Sequence, residues 1–427
     1  MGPFATKANP WRWIPSLYFS QGLPYVIVMT VSVIMYKNLD ISNAEIAFYT
    51  SWLYLPWVIK PLWSPFVEMF STRRTWVLVM QFLLGAALAC VALTIPMDNF
   101  FQLSLAFLWL MAFSSATHDI ASDGFYLLAL PSKDQAFFIG IRSTFYRVAM
   151  ITGQGAVVVV AGYLEERLPT IQGAWSAVFG GVAVLYLLFF FYHRWSLPKP
   201  SQDEKVTVQE PGEVFKRFFQ TLAAFFKKPQ IGIAITFLMC YRLGESQLVK
   251  LASPFLLDER SVGGLGLSTQ QVGVVYGTFG VIALTLGGIL GGIVASRDGL
   301  KRWIWWMVAA INLPNIVYIY LSFAQPESFF LVTAAVVVEQ FGYGFGFAGY
   351  LLYMIYIARG QFSTAHYALA TGFMALGMMV PGMISGWVQE LIGYQYFFVW
   401  VVIATIPSFV VTRFLQIDAD FGKKEEA

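Results

Sequence analysis

Long apolar runs, separated by short polar turns, repeat along most of the 427-residue chain. A helix that crosses the hydrocarbon core of a membrane needs about 20 predominantly apolar residues. Twelve runs are long enough, and they lack the alternation of apolar and polar positions that marks a transmembrane β-barrel. The pattern therefore predicts an all-α integral membrane protein with twelve transmembrane helices, at residues 13–36, 44–68, 74–95, 101–128, 134–162, 174–193, 230–257, 269–296, 301–323, 328–358, 363–391 and 394–416.

The longest polar stretch lies near the middle of the chain, at residues 194–228, and combines three prolines with a mixed run of charges. Such clusters are typical of a linker between folded parts. We therefore predict an N-terminal six-helix bundle at 1–193, a cytoplasmic linker at 194–228 and a C-terminal six-helix bundle at 229–427, which includes a short cytoplasmic tail. The second part of the linker alternates phenylalanine with lysine and arginine, which fits an ordinary linker helix or an amphipathic helix on the membrane surface.

The two predicted bundles resemble each other at a common offset of about 220 residues. Tyr18-Phe-Ser-Gln-Gly22 in the first run corresponds to Tyr241-Arg-Leu-Gly244 in the seventh, and His118-Asp119 in the fourth corresponds to Glu339-Gln340 in the tenth. A shared offset of this kind indicates a duplicated six-helix unit, which is the repeat pattern of many membrane transporters. We therefore expect the two bundles to be pseudo-symmetric.

The distribution of lysine and arginine predicts the orientation in the membrane. Nineteen of the 27 Lys and Arg residues fall on the side of the N-terminus, three fall on the opposite side and five lie inside the predicted spans. Cytoplasmic loops carry the excess of positive charge in membrane proteins. Both termini are therefore predicted to be cytoplasmic.

Composition excludes several classes of protein. The chain is 58% hydrophobic and only 12% charged, whereas soluble domains carry roughly 25% charged residues. A net charge of +3 gives no reason to expect a nucleic-acid partner, and both cysteines lie inside apolar runs. The sequence has no HExxH, paired CxxC, Walker or Gly-x-Ser-x-Gly motif, so we predict no enzyme activity, no metal and no cofactor.

Ionisable residues at one membrane depth are the strongest functional signal. A charge at the centre of the membrane costs roughly 2.5–3.5 kcal/mol on insertion scales, so such residues are usually functional. Five of them lie near the middle of the fourth, fifth, seventh and tenth runs: Asp119, Arg147, Arg242, Glu245 and Glu339. Their common depth predicts a polar cavity lined by several helices.

The residue types in this set predict an anionic substrate and a coupled proton. Arginine and lysine bind anions through charge-assisted hydrogen bonds, and the predicted substrate-binding residues are Arg147, Arg242, Lys250, His118, Gln21, Tyr146 and Gln340. Asp119 and Asp123 share a helix face, where two carboxylates cannot both ionise cheaply, so one is expected to carry a proton. The predicted proton-coupling residues are Asp119, Asp123, Glu245 and Glu339, and the predicted gating residues are Glu68, Arg73, Arg142, Arg297 and Asp298.

A structural interpretation stays open for each of these residues by itself. Arg147 could neutralise Asp119 or Asp123, and Arg242 could pair with Glu245 on its own helix. A scaffold without a function would be better stabilised by apolar packing than by so many buried charges. We therefore interpret the set as a transport pathway.

Several short motifs, taken together, connect the chain to a known family. They include Ser20-Gln-Gly-Leu-Pro24, Lys60-Pro-Leu-Trp-Ser-Pro65, Asp119-Ile-Ala-Ser-Asp123 and Tyr241-Arg-Leu-Gly-Glu245. With these motifs the chain resembles the major facilitator superfamily and, within it, the AmpG-like permeases, which are related to the acetyl-coenzyme A transporters. The resemblance implies two six-helix bundles whose first, fourth, seventh and tenth spans line the cavity.

The same resemblance implies proton-driven import of 1,6-anhydromuropeptides across the bacterial inner membrane, by alternating access, for peptidoglycan recycling. The matching polar positions are Asp119, Asp123, Arg147, Glu245 and Glu339. The chain departs from the family at His118, where other members have glutamine, and at Arg242, where they have lysine. Lys250 and Arg142 add further positive charge.

The added charge leaves other functions open. Another bulky anion, such as a coenzyme A thioester, a siderophore or a peptide, fits the same charge pattern. A membrane sensor that binds its ligand without moving it, and an intramembrane enzyme with His118 and Asp119 as an acid–base pair, are alternatives from other classes. The expected partners are an amphiphilic or anionic small molecule, protons and membrane lipids, and we expect the protein to be a monomer.

Overall fold

The computed structural model describes residues 9–200, 203 and 211–423, except for a few side chains inside helices. Every regular element in these ranges is helical. Up to the linker the α-helices are α1 Ile14–Val26, α2 Ser32–Asn38, α3 Asn43–Trp52, α4 Leu55–Phe70, α5 Arg73–Thr94, α6 Phe100–Ala129, α7 Ser132–Ile151, α8 Val158–Glu165 and α9 Ile171–Ser196. After it they are α10 Pro211–Phe226, α11 Ile231–Cys240, α12 Leu243–Leu257, α13 Thr269–Val272, α14 Val281–Asp298, α15 Leu300–Asn312, α16 Ile316–Ala324, α17 Phe329–Ala358, α18 Ser363–Ile403 and α19 Ile406–Thr412.

All twelve predicted spans are helical, although several are interrupted. Within the described ranges nine helices are long and apolar enough to cross a membrane, and a tenth arises if the bent pair at Phe219–Phe226 and Ile231–Leu257 counts as one span. One of the nine, Ala365–Thr412, has 48 residues and covers most of predicted spans eleven and twelve. Gly393 separates these two spans, because its φ of 74° ends the first helix.

Short π-helical segments continue three of the spans. They lie at Ile27–Val31, Thr152–Val157 and Gly273–Gly280. Such wide turns are rare in proteins and are frequent at functional sites. They explain why the predicted spans 13–36, 134–162 and 269–296 each appear as more than one helical segment.

Packing contacts group the chain into two compact units. The first contains Met1–Leu39 and Leu62–Pro211, and the second contains Asp40–Pro61 and Gly212–Ala427. Residues 40–61 therefore pack within the second unit, although the chain on both sides of them belongs to the first. The predicted bundle boundaries at 193 and 229 stay predictions. Much of the predicted linker lies outside the described residues, as do both ends of the chain.

The first unit is built around α1, which packs against α6 and α7, while α5 packs against α6 and α9. Its apolar core includes Trp13, Leu17, Val77 and Phe125, all of which are buried. Polar groups inside this core are therefore surrounded by packed helices, where each needs a hydrogen-bond partner.

The second unit contains close contacts between helix backbones. A Cβ atom added to Gly287 of α14 would overlap the carbonyl oxygen of Phe341 in α17, and one added to Gly344 would overlap that of Leu284. Small residues allow membrane helices to approach each other in this way. In the same unit α3 packs on α18, where the Asn43 amide donates hydrogen bonds to Gln389 at 2.7 Å and to Tyr394 at 2.8 Å.

Candidate functional site

In the first unit, Asp123 of α6 forms an ion pair with Arg142 of α7. The Nη2 atom of Arg142 lies 2.8 Å from Oδ1 of Asp123, and the Tyr18 hydroxyl donates to the same oxygen at 3.2 Å. The guanidinium carbon of Arg142 also lies 4.4 Å from the centre of the Tyr18 ring. A predicted proton-coupling residue and a predicted gating residue are therefore direct partners.

Asp119, one helical turn earlier, faces α1. Its Oδ1 accepts a hydrogen bond from the side-chain amide of Gln21, so a predicted substrate-binding residue holds a predicted proton-coupling residue. The next residue of α1, Gly22, lies against α7. A Cβ atom on Gly22 would lie 3.0 Å from the carbonyl oxygen of Tyr146 and 3.2 Å from the Tyr146 ring, so glycine allows the two helices to approach closely. Arg147 lies next to Tyr146 on α7 and is half-buried.

In the second unit, a break between α11 and α12 positions Arg242. The residue has φ −113° and ψ 24°, so it is the non-helical cap of α12, and only 7% of it is exposed. Its Nη2 atom donates to the Tyr343 hydroxyl of α17, and its guanidinium carbon lies 4.9 Å from the centre of the Tyr343 ring. Broken helices with polar groups at the break are a recurring form of binding site in membrane transporters.

A pair of buried carboxyl groups lies in the same unit, and one of them, Glu245, interacts electrostatically with Arg242. Glu245 and Glu339 are 0% and 2% exposed, and they interact electrostatically with each other. The Gln340 amide donates to Glu339 Oε2 at 3.0 Å. Neither carboxyl oxygen of Glu245 has a hydrogen-bond partner among the described residues. No ion pair joins Arg242 to Glu245 in the described part of the chain. The alternative in which these two residues pair with each other on their own helix is therefore not what the structure shows.

Lys250, two turns further along α12, is a buried cation held by a neutral group. It is 1% exposed, its Nζ donates to the Thr50 hydroxyl at 2.9 Å, and it lies 5.2 Å from the centre of the Tyr54 ring. Within the described residues no carboxylate lies within ion-pair distance of this Nζ atom. A buried ammonium without a counter-ion can bind an anion strongly.

Three of the predicted gating residues, Arg73, Arg297 and Asp298, lie at helix ends. Arg297 and Arg302 pair with Asp298 at 3.0 Å and 3.7 Å, and the Trp303 indole donates to the same carboxylate at 2.9 Å. Arg73 lies against Gly124 of α6, and its backbone N–H donates to Asp203 at 2.8 Å. The Glu68 side chain lies outside the described residues.

His118 was predicted as a substrate-binding residue, and the structure places it inside the packing of the first unit. It is 0% exposed and lies 3.1 Å from the side-chain amide of Gln81. Three residues that were not predicted contact the predicted ones directly or through one neighbour. Gln81 contacts His118, His193 contacts Gln81, and Thr50 contacts Lys250. Polar residues inside long apolar runs were the available signal for all three.

The described residues contain no group of three or more His, Cys, Asp or Glu side chains placed to hold a metal ion. The two clusters instead present arginine, lysine, phenol, amide and carboxyl groups inside apolar helices. Such groups can bind an anionic or amphiphilic molecule and exchange protons.

Comparison with known proteins gives the family. A model of the Major Facilitator Superfamily matches residues 16–366, which is most of the chain. The chain belongs to the Major Facilitator Superfamily. This result confirms the predicted family and fold class, and it assigns the protein to a group of multi-pass membrane transporters.

Relatives within the superfamily are similar along nearly the whole chain. The chain is 26% identical to the anhydromuropeptide permease of Escherichia coli K12 over 407 residues, which cover 92% of this chain and 77% of that protein. It is 25% identical over 413 residues to a protein of Rickettsia conorii that carries the name AmpG 4, covering 92% and 94% of the two chains. The resemblance to AmpG-like proteins that the motifs predicted is therefore confirmed.

Solved structures of other transporters share the fold. A POT family transporter in complex with 5-aminolevulinic acid matches with a TM-score of 0.72 at 11% identity, covering 94% of this chain and 95% of that one. A D-xylose-proton symporter matches with a TM-score of 0.70 at 12% identity, covering 98% and 100%. These similarities support the major facilitator fold of the chain.

Proposed function

We propose that the protein is a secondary active transporter that imports 1,6-anhydromuropeptides across the bacterial inner membrane together with protons. The observation that carries the proposal is the pair of buried cations in the second unit. Arg242 and Lys250 are 7% and 1% exposed and donate to the hydroxyl groups of Tyr343 and Thr50. Each can add a carboxylate partner without first breaking an ion pair. A muropeptide carries peptide carboxylates, and two similar proteins are an anhydromuropeptide permease and an AmpG protein.

The aromatic groups around these cations suit the remainder of such a substrate. Tyr343 and Phe347 lie beside the Arg242 guanidinium, at 4.9 Å and 5.2 Å from their ring centres, and Tyr54 lies beside Lys250. Aromatic rings present a large apolar surface together with polar edges, which is suited to amphiphilic ligands. The proposed site therefore combines charge recognition with stacking surfaces.

Protons are the proposed driving ion because buried carboxyl groups accompany the cations. Glu245 has no hydrogen-bond donor among the described residues, so no described hydrogen bond holds it in one protonation state. Glu339 lies close enough to interact with it electrostatically. A proton that crosses the membrane supplies about 2.3 kcal/mol per 100 mV, which is sufficient to accumulate a substrate.

The proposed cycle is alternating access, with both termini in the cytoplasm. The positive-inside distribution supports this orientation, because nineteen Lys and Arg residues are predicted on the side of the N-terminus and three on the other. Asp119, Glu245 and Glu339 are the proposed proton carriers. Arg147, Arg242 and Lys250 are the proposed contacts of the anionic group.

The experiment that tests the proposal is uptake of labelled anhydromuropeptide into proteoliposomes. Uptake is measured with an imposed pH gradient, with the same gradient after addition of a protonophore, and in liposomes without protein. We expect accumulation above the external concentration that the protonophore abolishes. Equal, non-accumulating entry in the presence and absence of the gradient would contradict proton coupling while keeping the substrate.

Competition with other anions tests whether the substrate is a muropeptide or another bulky anion. Unlabelled muropeptide, a free peptide, a coenzyme A thioester and a siderophore are compared as competitors of the labelled compound. We expect the muropeptide alone to compete at low concentration. Competition only by another anion would replace the substrate assignment, and saturable binding without uptake would indicate a sensor.

A further inference from the structure

A chain of neutral polar side chains crosses the interior of the first unit beside Asp119. Ser16 Oγ lies 2.9 Å from Nε2 of His193, and Nδ1 of His193 lies 3.0 Å from Oε1 of Gln81. On the other side of the amide, Nε2 of Gln81 lies 3.1 Å from Nε2 of His118. Gln81, His118 and His193 are all 0% exposed. Every hydrogen in such a buried network needs an acceptor, so its arrangement can be worked out atom by atom.

Ser20 of α1 determines which way the Gln81 amide points. The Ser20 hydroxyl donates its single hydrogen to the carbonyl oxygen of Leu17 at 2.8 Å, so it can only accept from Gln81, whose Nε2 lies 3.1 Å away. In this orientation both amide hydrogens have acceptors, one on Ser20 and one on His118. The reversed amide would leave one buried N–H without an acceptor, which is costly.

The amide orientation then fixes the hydrogens of both histidines. Because Gln81 donates to Nε2 of His118, that atom is an acceptor, and the ring hydrogen of His118 lies on Nδ1, 3.4 Å from the Ser122 hydroxyl. Because Gln81 accepts through Oε1, His193 must donate from Nδ1. Nε2 of the neutral ring accepts the hydroxyl hydrogen of Ser16, to which it lies closer, at 2.9 Å, than the Trp13 carbonyl oxygen does, at 3.3 Å. Without such partners, neutral histidine more commonly carries its hydrogen on Nε2. The presence of the Nδ1–H tautomer in both His118 and His193 is therefore a specific consequence of this network.

We infer that Gln81 is a positioning residue that keeps His118 neutral, with its hydrogen on Nδ1, directly beside Asp119. A protonated His118 would have to donate from Nε2 toward the amide nitrogen of Gln81, which already carries two hydrogens. The groups that face the two rings are Asp119 and Ser122 on α6, Ser16 on α1, Gln81 on α5, and Phe189 and Tyr192 on α9, and the two histidines also interact electrostatically with each other. Arg142 of α7 interacts with Asp119 electrostatically.

The consequence for transport rests on the proposed function. Two adjacent residues of α1 are linked to two adjacent residues of α6. Ser20 is connected to His118 through hydrogen bonds of Gln81, and Gln21 donates a hydrogen bond to Asp119. An uncharged His118 places no imidazolium next to the Asp119 carboxyl on α6. Asp119 can then gain and lose the transported proton without competition from a neighbouring imidazolium.

The test is nitrogen NMR of the purified full-length protein labelled only at histidine. The chain has three histidines, so few signals appear. His366 is the internal contrast, because its Nε2 faces the carbonyl oxygen of Thr221 and must carry the hydrogen. We expect two neutral Nδ1–H rings and one Nε2–H ring, and we expect the two Nδ1–H rings to stay neutral between about pH 5 and pH 8. The His366→Gln variant assigns the third ring. An Nε2–H or doubly protonated His118 in this range overturns the inference.

Variants of the amide test its causal role. In Gln81→Glu the carboxylate can only accept and adds a negative charge, so the His118 ring is expected to gain a hydrogen on Nε2 and to become an imidazolium. In Ser20→Ala the second acceptor is lost, so a new Nε2–H population of His118 is expected even if the Glu variant does not fold. Thr117→Val is the matched control, since the Thr117 hydroxyl donates within α6 to Phe113, and its spectrum should stay unchanged. An unchanged His118 signal in both Gln81→Glu and Ser20→Ala contradicts the role of Gln81.

Transport provides a separate readout. Gln81→Glu is expected to lose proton-driven accumulation and to regain it when His118→Gln is added. The NMR result does not depend on which molecule is transported, so failure of the muropeptide proposal leaves it intact. Loss of accumulation in Gln81→Glu that His118→Gln does not restore contradicts the proposed effect on Asp119.

Discussion

The Nζ atom of Lys250 lies 2.9 Å from the hydroxyl oxygen of Thr50, so a fully buried ammonium is held by a neutral hydroxyl. Thr50 belongs to α3, and Lys250 belongs to α12 of the same unit. Removing a charge from water costs several kcal/mol, which a single hydroxyl does not offset. The buried ammonium therefore lowers the free energy of unfolding, and a bound anion would offset this destabilisation.

Replacing Lys250 by methionine should separate stability from transport. We expect Lys250→Met to unfold at the same or a higher temperature than the parent protein, because a buried charge is replaced by an apolar chain of similar length. Substrate uptake should fall by roughly thirtyfold or more, equivalent to about 2 kcal/mol of lost charge-assisted binding. Thermal unfolding and initial uptake rates measure the two effects.

Lys301→Met serves as the control for Lys250→Met. Lys301 is an exposed lysine at the start of α15, so its replacement should change neither uptake nor stability appreciably. If Lys250→Met transports as well as the parent protein, Lys250 is a structural residue and the anion site must lie elsewhere.

Tyr343 contributes both a hydroxyl group and an aromatic face to Arg242, and the two contributions can be measured separately. Tyr343→Phe keeps the ring beside the guanidinium and removes the hydroxyl, so we expect uptake efficiency to fall by about tenfold, in line with about 1.5 kcal/mol for a hydrogen bond to a charged group. Tyr343→Leu should lose more, because the cation–π contact is also removed. Tyr320→Phe, an exposed tyrosine in α16, provides the control. Equal effects of Phe and Leu at position 343 would exclude a role for the ring.

The helical architecture could be predicted from the sequence because the membrane leaves the backbone few alternatives. Apolar runs of about 20 residues must satisfy their N–H and C=O groups internally, and helices do so. All twelve predicted runs are helical for this reason. The break at Arg242 was not predicted, because its immediate neighbours, Tyr241 and Leu243, are large apolar residues rather than proline or glycine.

The partners of the buried charges could not be predicted from the sequence. The depth of Lys250 and of His118 follows from counting along one helix, but their partners Thr50 and Gln81 lie on other helices. Which residues meet depends on the tilt and rotation of packed helices, which neighbouring side chains determine. Neutral polar residues give a weak signal in a sequence, since they cost little in a membrane helix.

Two glycines of α14 allow a matched test of helix packing. A Cβ atom on Gly287 would overlap the carbonyl oxygen of Phe341, whereas one on Gly292 would have no atom within 4 Å among the described residues. We therefore expect Gly287→Ala to lower the free energy of unfolding by about 1–3 kcal/mol, as overpacking does. Gly292→Ala should be neutral or slightly stabilising, because alanine is the better helix former. Similar unfolding temperatures for the two variants would contradict the close approach of α14 and α17.

The ion pair of Asp123 and Arg142 can be separated from proton movement by a double-mutant cycle. Their side chains are 42% and 27% exposed, so either neutral substitution should cost less than about 1 kcal/mol of stability. We expect Asp123→Asn and Arg142→Gln each to reduce uptake, because each variant removes the ion pair and changes the local net charge. The double variant should recover most of the uptake, because the pair acts through matching charge. A different result would contradict this interpretation: the double variant does not recover uptake, and its remaining uptake does not respond to the protonophore. Asp123 would then be a proton carrier, since only a titratable side chain at that position couples transport to the gradient.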